Sequence, residues 1–335
     1  MKEALLFEKL ESNKVHCYLC AHNCMILPDM FGFCGVRKNI AGDLYTYAYE
    51  KLIAQNVDPI EKKPLFHVKP GSNSYSIALS GCNFRCGFCQ NWHISQKKAK
   101  DNSYLFGEAV TPEQVVSNAL EQGCESVSFT YTEPTIFFEY AFETAKLAKA
   151  AGLVTIFVSN GYMTSQAIKK ISPYLDACNI DLKSFREEFY VKFCKAHLNP
   201  VKDSIKELYE SHIWLEITTL LITDENDSDQ ETNDIAEFIS GISNDIPWHV
   251  SRFFPQYEFS DHKPTPVATI LKAMDAGKRA GLRYVYPGNI SKNCDTICSN
   301  CKKILVNRTN FEVNKNLISD SRCSRCSQKI EGIWR

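Results

Sequence analysis

From about residue 73 to residue 289 the chain alternates short β-branched and aromatic runs with longer amphipathic segments, and this alternation narrows its fold more than any other feature. Strand patterns fall at 74–80, 125–131, 153–158, 176–182, 213–222, 248–254 and 282–287, with helical patterns at 111–122, 135–151, 164–173, 202–212, 229–243 and 266–280. Runs such as VTIFVS at 154–159 suit parallel strands buried on both faces. Thr111, Pro112 and Gln114 supply a capping box with proline at the first helical position, and Gly123, Gly152 and Gly281 stand where helices should end. Six or seven such units predict an α/β protein built on a partial parallel (β/α)6-type barrel, whose site belongs at the C-terminal ends of the strands.

Cysteine divides the rest. The chain holds 15 cysteines in 335 residues. They mark a cysteine-rich N-terminal extension (1–72), the barrel core (73–289) and a C-terminal segment (290–335) resembling a zinc ribbon. Chance would give fewer than about one Cys-x2-Cys pair at this content. The sequence has four, plus one Cys-x3-Cys-x2-Cys triple. Cys124, Cys178 and Cys194 stand alone and read as small buried thiols.

Lys plus Arg at 38 against Asp plus Glu at 39 leaves a net charge of -1, so no global field draws in nucleic acid or an anionic membrane. No apolar stretch approaches the roughly 18 residues of a membrane span, and charge interrupts the first residues too early for a signal peptide. A cytoplasmic protein is expected, with reduced thiols available for metal.

The triple, Cys82, Cys86 and Cys89, directly follows the first strand pattern, in a loop containing Gly81 and Gly87. Thiolates are the usual ligands of iron-sulfur clusters, and three of them leave one iron of a cubane open. A zinc site completed by His93 is the alternative. In the tail, Cys298, Cys301, Cys323 and Cys326 have the spacing of a four-cysteine zinc site, with Cys294 to spare. Near the start, Cys17, Cys20, Cys24 and Cys34 suit one metal ion or a second cluster, with His16 and His22 as substitute ligands and zinc slightly favoured.

Polar residues recur at the strand ends. Glu133 precedes Pro134, which biases it to an extended conformation at the barrel mouth, where it serves a cationic ligand or caps the following helix. Ser159, Asn160 and Gly161 form a polar turn. Strand period two puts Asn179, Asp181 and Lys183 on one face, and Trp214, Glu216 and Thr218 on one face of the next strand. A carboxylate within a buried strand needs a partner, so Glu216 is expected to face the lumen and serve the substrate, partnered by Lys183 or by the substrate itself, and Glu216 and Lys183 form the expected catalytic set. His249, Ser251 and Arg252 follow, with His249 and Arg252 on opposite faces by periodicity.

The triple, together with CYLC at 17–20, KPLFH at 63–67, CQNWHISQ at 89–96, YTEPT at 131–135, PWHVSRFFP at 247–255 and YVYPGN at 284–289, resembles the radical S-adenosylmethionine (SAM) superfamily. Within it the chain is similar to the pyruvate formate-lyase activating-enzyme branch, and most of all to the radical SAM enzyme of the AmmeMemoRadiSam system. The resemblance implies a [4Fe-4S] cluster on Cys82, Cys86 and Cys89 that reductively cleaves SAM, giving a 5′-deoxyadenosyl radical that abstracts hydrogen from a small molecule or a partner-presented residue. It implies that the region of Phe88 meets the adenine and that Glu133 accepts the SAM amino group, with Tyr131 and Thr132 standing where the family carries two glycines. Ser159 and Asn160 match its ribose and carboxylate contacts, and Asp181 and Lys183 its Asp-x-Lys segment. An external one-electron reductant of flavodoxin or ferredoxin type is expected, with Memo-like and AMMECR-like proteins as partners. A glycyl-radical activase is one alternative function; a zinc-ribbon nucleic-acid binder with a structural cluster is another, disfavoured by the charge balance.

Overall fold

The computed structural model describes residues 1–96, 107–291 and 293–334. Ahead of the core, an antiparallel pair, β1 (Val15–Cys17) and β2 (Cys24–Ile26), carries the N-terminal cysteines, and β3 (Lys51–Pro59) leads toward the barrel. The core runs β4 (Asn73–Leu79), α1 (Pro112–Glu121), β5 (Ser126–Phe129), α2 (Phe138–Ala150), β6 (Val154–Ser159), α3 (Ser165–Ile171), β7 (Ala177–Asp181), α4 (Leu198–Glu210), β8 (Trp214–Leu221), α5 (Asp229–Ile242), β9 (Trp248–Arg252), α6 (Val267–Arg279) and β10 (Val285–Gly288). The seven strands β4 to β10 lie side by side in chain order, all parallel. Six β/α units and a closing strand thus form the partial barrel the alternation predicts. β3 pairs antiparallel with β4, so this part of residues 1–72 is continuous with the barrel sheet.

The strand faces divide by chemistry. Val127, Phe129, Phe157, Ile180, Ile217 and Val250 pack outward against the helices in the main core. On the alternate positions the lumen receives Ser74 and Ser128, bonded to each other at 2.6 Å, and Asn179 and Glu216, neighbours across β7 and β8. Such polar groups need partners away from water. The two serines partner each other, and Asn179 and Glu216 find theirs in a plug formed by residues 60–68. Ile60, Leu65 and Val68 pack on Val154, Ile156 and Ala177 at the barrel floor, and Asn179 donates to the Pro64 carbonyl at 2.7 Å.

The C-terminal segment seals this floor from beneath. Ile333 exchanges backbone hydrogen bonds with His67 and Lys69 at 2.7 and 2.6 Å. Arg308, from the strand Ile304–Thr309, is fully buried; it faces Glu61 at 3.3 Å and donates to the Phe66 carbonyl at 2.6 Å and Thr296 Oγ1 at 2.8 Å.

Element ends depart from the sequence pattern for local reasons. β5 stops at Phe129 because Tyr131 adopts a left-handed conformation, φ 63°. The helix expected from 135 opens with a 3-10 turn, Pro134–Phe137, before α2. α4 begins at Leu198, earlier than its pattern, after a π-turn at Tyr190–Cys194 that ends on Lys195 at φ 56°; Pro200 is tolerated in its first turn, where backbone N–H groups lack helical partners.

Candidate active site

A cavity of about 1200 Å³ opens at the C-terminal ends of the barrel strands, with Cys82, Cys86, Cys89, Glu133, Asp181 and Lys183 in its wall. The three cysteines come from one loop. Gly81 turns the chain out of β4 at φ 101°, where a Cβ would meet Val36 Cγ1 at 2.8 Å, so no larger residue fits. Arg85 then bridges the loop, donating to the Cys82 and Phe84 carbonyls at 2.6 and 2.7 Å. The π-turn holds the far side: the backbone N–H groups of Arg85 and Gly87 donate to the Cys194 and Phe193 carbonyls.

The cysteine chemistry fits an iron-sulfur cluster. Burial pushes the Cys82 and Cys89 thiols up, and the adjoining Cys194 thiol and burial do the same for Cys86. Thiols so placed stay protonated on their own and would ionise, releasing their protons to solvent, only when a cationic core takes the sulfurs as ligands. Sulfur contacts are already in place: Phe84 N–H donates to Cys82 Sγ at 3.3 Å and Ser95 Oγ lies 3.2 Å from Cys89 Sγ. The Asn83 side-chain amide nitrogen is buried in this loop without a partner among the described residues, a donor suited to a cluster sulfide.

Glu133 is buried, and burial raises its pKa. Its Oε1 accepts from Thr135 N, Thr135 Oγ1 and Ser159 Oγ, at 3.0, 2.6 and 2.8 Å, while Oε2 accepts from Asn160 N at 2.8 Å. The carboxylate therefore caps the 3-10 turn and ties it to the end of β6. Asn160 in turn donates to Asn83 Oδ1 at 2.7 Å and lies 3.8 Å from Cys82 Sγ. Asp181 and Lys183 pair at 2.9 Å; burial opposes the lysine's charge, but Asp181 together with the Cys86 and Cys194 sulfurs outweighs it and holds the pKa well above its ordinary value. The ammonium lies 5.9 Å from the Phe88 ring. That ring packs on Phe189 and Phe259.

A family model described as the Radical SAM superfamily matches residues 76–238. The chain belongs to the radical SAM superfamily. It is 39% identical over 336 residues to an uncharacterised protein of Methanocaldococcus jannaschii, covering 99% of each chain. A protein of the same organism named for glycyl-radical enzyme activation is 25% identical over 232 residues, 67% of this chain and 82% of its own. A crystal structure of a radical SAM methyltransferase from Sphaerobacter thermophilus shares the fold, with TM-score 0.52, 13% identity, and coverage of 69% of this chain and 72% of that one. The protein is thus a radical SAM enzyme, and the superfamily implies a [4Fe-4S] cluster and SAM.

Not every residue sits as the radical SAM resemblance or the strand period implies. Lys183 pairs with Asp181, so the Glu216–Lys183 pair does not form. Glu216 instead accepts from Phe66 N, His67 N, Trp214 Nε1 and His249 Nε2, at 3.0, 2.8, 3.1 and 2.6 Å, against the plug. His249 and Arg252 both line the cavity, because the alternation lapses where β9 ends. Cys294 is outside the tail's metal set and donates to the Pro287 carbonyl at 3.3 Å. Cys298, Cys301, Cys323 and Cys326 bring their sulfurs within 4.8 Å of one another, with Cys298–Cys326 and Cys301–Cys323 both at 3.6 Å.

Sequence reasoning missed Arg85, Asn91, Cys194 and the plug. Asn91 donates to the Tyr131 carbonyl at 2.8 Å, joining the cysteine loop to the end of β5. Only its position two residues after Cys89 hinted at this. Cys194 carried no signal, since a π-turn has no distinctive pattern.

Proposed function

We propose that this enzyme abstracts hydrogen from a substrate held in the cavity between the cysteine loop and the C-terminal segment. The observation that carries the reading is the convergence of three thiols and the Asp181–Lys183 pair on one cavity wall, while the wall continues past His249 and Arg252 to Asn310 and Phe311. When bound at Cys82, Cys86 and Cys89, a [4Fe-4S] cluster supplies the electron that cleaves SAM to methionine and a 5′-deoxyadenosyl radical.

The chain's own residues bind and orient. Among the described residues Glu133 Oε2 accepts one hydrogen bond, from Asn160 N, which leaves capacity for an ammonium N–H of SAM. Ser159 and Asn160 fix the turn against which ribose and carboxylate would lie, and Lys183, kept charged by Asp181, offers the carboxylate a cation. Phe88 walls off the adenine side. His249, Ser251 and Arg252 line the deeper cavity and would meet the substrate. Glu216, placed in the catalytic set from its sequence position, acts through His249 as a positioning residue. The tail cysteines hold one structural zinc, because their 3.6 Å sulfur separations match the edges of a tetrahedral site with about 2.3 Å bonds.

The likeness to a protein named for glycyl-radical enzyme activation supports a second reading, an activase whose substrate is a protein. Memo-like and AMMECR-like partners belong to the first. Anaerobic assay for 5′-deoxyadenosine tests the chemistry: wild type should form it with SAM and reductant, and a Cys82→Ala, Cys86→Ala, Cys89→Ala variant should not. Retention in that variant would overturn the reading. Deuterium transfer into 5′-deoxyadenosine from labelled candidates, with and without partner proteins, separates small-molecule from protein substrates.

A further inference from the structure

The thiols of Cys17, Cys20, Cys24 and Cys34 gather on the N-terminal sheet. Cys17 and Cys24 oppose each other across β1 and β2, Cys20 bridges to Met163, and Cys34 lies beside Val36, against which Gly81 turns. Each sulfur has a donor: Arg37 Nη1 at 3.1 Å for Cys17, and the backbone N–H groups of His22, Phe33 and Val36 for Cys20, Cys24 and Cys34. Arg37 is itself buried and ion-paired with Glu139. A buried cation, directed N–H groups and four thiols make a built site for an anionic metal-thiolate centre.

The spacing of the sulfurs argues against one zinc ion. A tetrahedral zinc with bonds of about 2.3 Å holds its sulfurs about 3.8 Å apart. Among the described residues, only the tail set brings three or more ligand atoms within 4.8 Å of one another. The N-terminal set is more open, as is the triple at Cys82, Cys86 and Cys89, and a cluster that spreads its thiolates over several irons accepts such spacing. The nearby histidines are committed elsewhere, His16 to Glu8 at 2.7 Å and His22 to the Asn83 carbonyl at 2.7 Å.

His22 also joins the two cysteine sets. It lies two residues from Cys20 and from Cys24, and its Nε2–H reaches the residue adjoining Cys82. Its ring packs at 4.1 Å on Phe33 and 4.9 Å on Tyr162. Arg85 of the cysteine loop lies 4.6 Å over the same Phe33 ring.

We propose that Cys17, Cys20, Cys24 and Cys34 hold a second iron-sulfur cluster, and that it relays single electrons from a flavodoxin- or ferredoxin-class donor to the cluster at Cys82, Cys86 and Cys89 across the His22–Asn83 contact. In each transfer the donor loses one electron, the second cluster gains and then loses it, and the site cluster gains it; no bond or proton changes place. The direction of transfer rests on the proposed function, whereas the metal content does not.

The full chain carrying Cys82→Ala, Cys86→Ala and Cys89→Ala, reconstituted anaerobically with iron and sulfide, reads the metal alone. It should retain about two to four irons with equal sulfide and give a paramagnetic signal on reduction. Adding Cys20→Ser and Cys24→Ser should abolish both. A second zinc equivalent in place of iron, or no metal beyond the tail's, would overturn the site. In an otherwise wild-type chain, His22→Phe keeps the ring and removes the donor. Its 5′-deoxyadenosine formation should stay within about twofold when dithionite is the reductant and fall about tenfold with reduced flavodoxin. Equal rates with both reductants, relative to wild type, would overturn the relay and leave the cluster standing. A wild type inactive with dithionite would instead refute the proposed function.

Discussion

His249 donates from Nε2 to Glu216 Oε2 across 2.6 Å, and that carboxylate also receives the backbone N–H groups of Phe66 and His67. One buried acid therefore joins a cavity-lining histidine to the plug under the lumen.

Glu216→Gln should act on this junction more than on cofactor binding. The amide keeps the shape but turns a donor toward groups that need an acceptor, so stability should fall by about 1–3 kcal/mol. SAM affinity should change less than about threefold. Urea unfolding and SAM titration of the cluster-loaded protein check the two. A variant of native stability with weakened SAM binding would move Glu216 into the cofactor site.

Tyr131 occupies a left-handed conformation, φ 63°. For a bulky residue this costs about 1–3 kcal/mol. Its hydroxyl donates to Asp58 and its ring lies 4.4 Å under the Lys63 ammonium, which offset the strain. Tyr131→Phe keeps the strain and loses the hydrogen bond, so it should destabilise by about 1–2 kcal/mol. Tyr131→Gly loses both contacts and the strain together, and should lie close to wild type. A glycine variant much less stable than the phenylalanine variant would show that the contacts outweigh the strain.

Acid should loosen the floor. His67 is fully buried, bonded to the Glu331 carbonyl and Tyr286 hydroxyl at 2.8 and 2.9 Å, and burial lowers its pKa from 6.5 to about 4. Between these values the unfolded chain binds the proton and the folded chain does not. Stability is therefore full above pH 6.5 and declines as pH falls toward 4, by about 3 kcal/mol from this residue. Chemical unfolding of wild type and His67→Gln across that window checks the slope, which the variant should flatten.

Removal of the tail metal should be felt in the barrel. Replacing Cys323 and Cys326 by Ser should release about one zinc and lower stability, because the proposed ion would organise the segment that supplies Arg308 to Glu61. Metal analysis with thermal unfolding reads both. Unchanged zinc content would remove the tail set as its site.

The barrel was legible because each β/α unit carries its own period, caps and glycines, and the cysteine loop because Cys82, Cys86 and Cys89 are close in sequence. Asp181 and Lys183 were placed together by strand alternation, which holds inside a strand and lapses at its end, as Arg252 shows. The partners of Glu216 were not legible. Two of them come from Phe66 and His67, 150 and 149 residues away, and are backbone N–H groups that any residue but proline would have supplied. Tyr131's conformation was hidden likewise, since its compensation comes from Asp58 and Lys63 on a distant segment.

The meeting of Glu61 with Arg308 sets an order of events during synthesis. The acid and its cation are separated by 247 positions, and the floor closes further on Ile333. A nascent chain can complete all seven parallel strands while Glu61 is still without its counter-charge and the lumen is open below. Closing so long a loop is slow, and the ion pair gains nothing until it closes. Proteolysis of ribosome-bound chains should thus find the barrel sheet protected before residues 60–68 become resistant, with the floor as the last checkpoint of maturation.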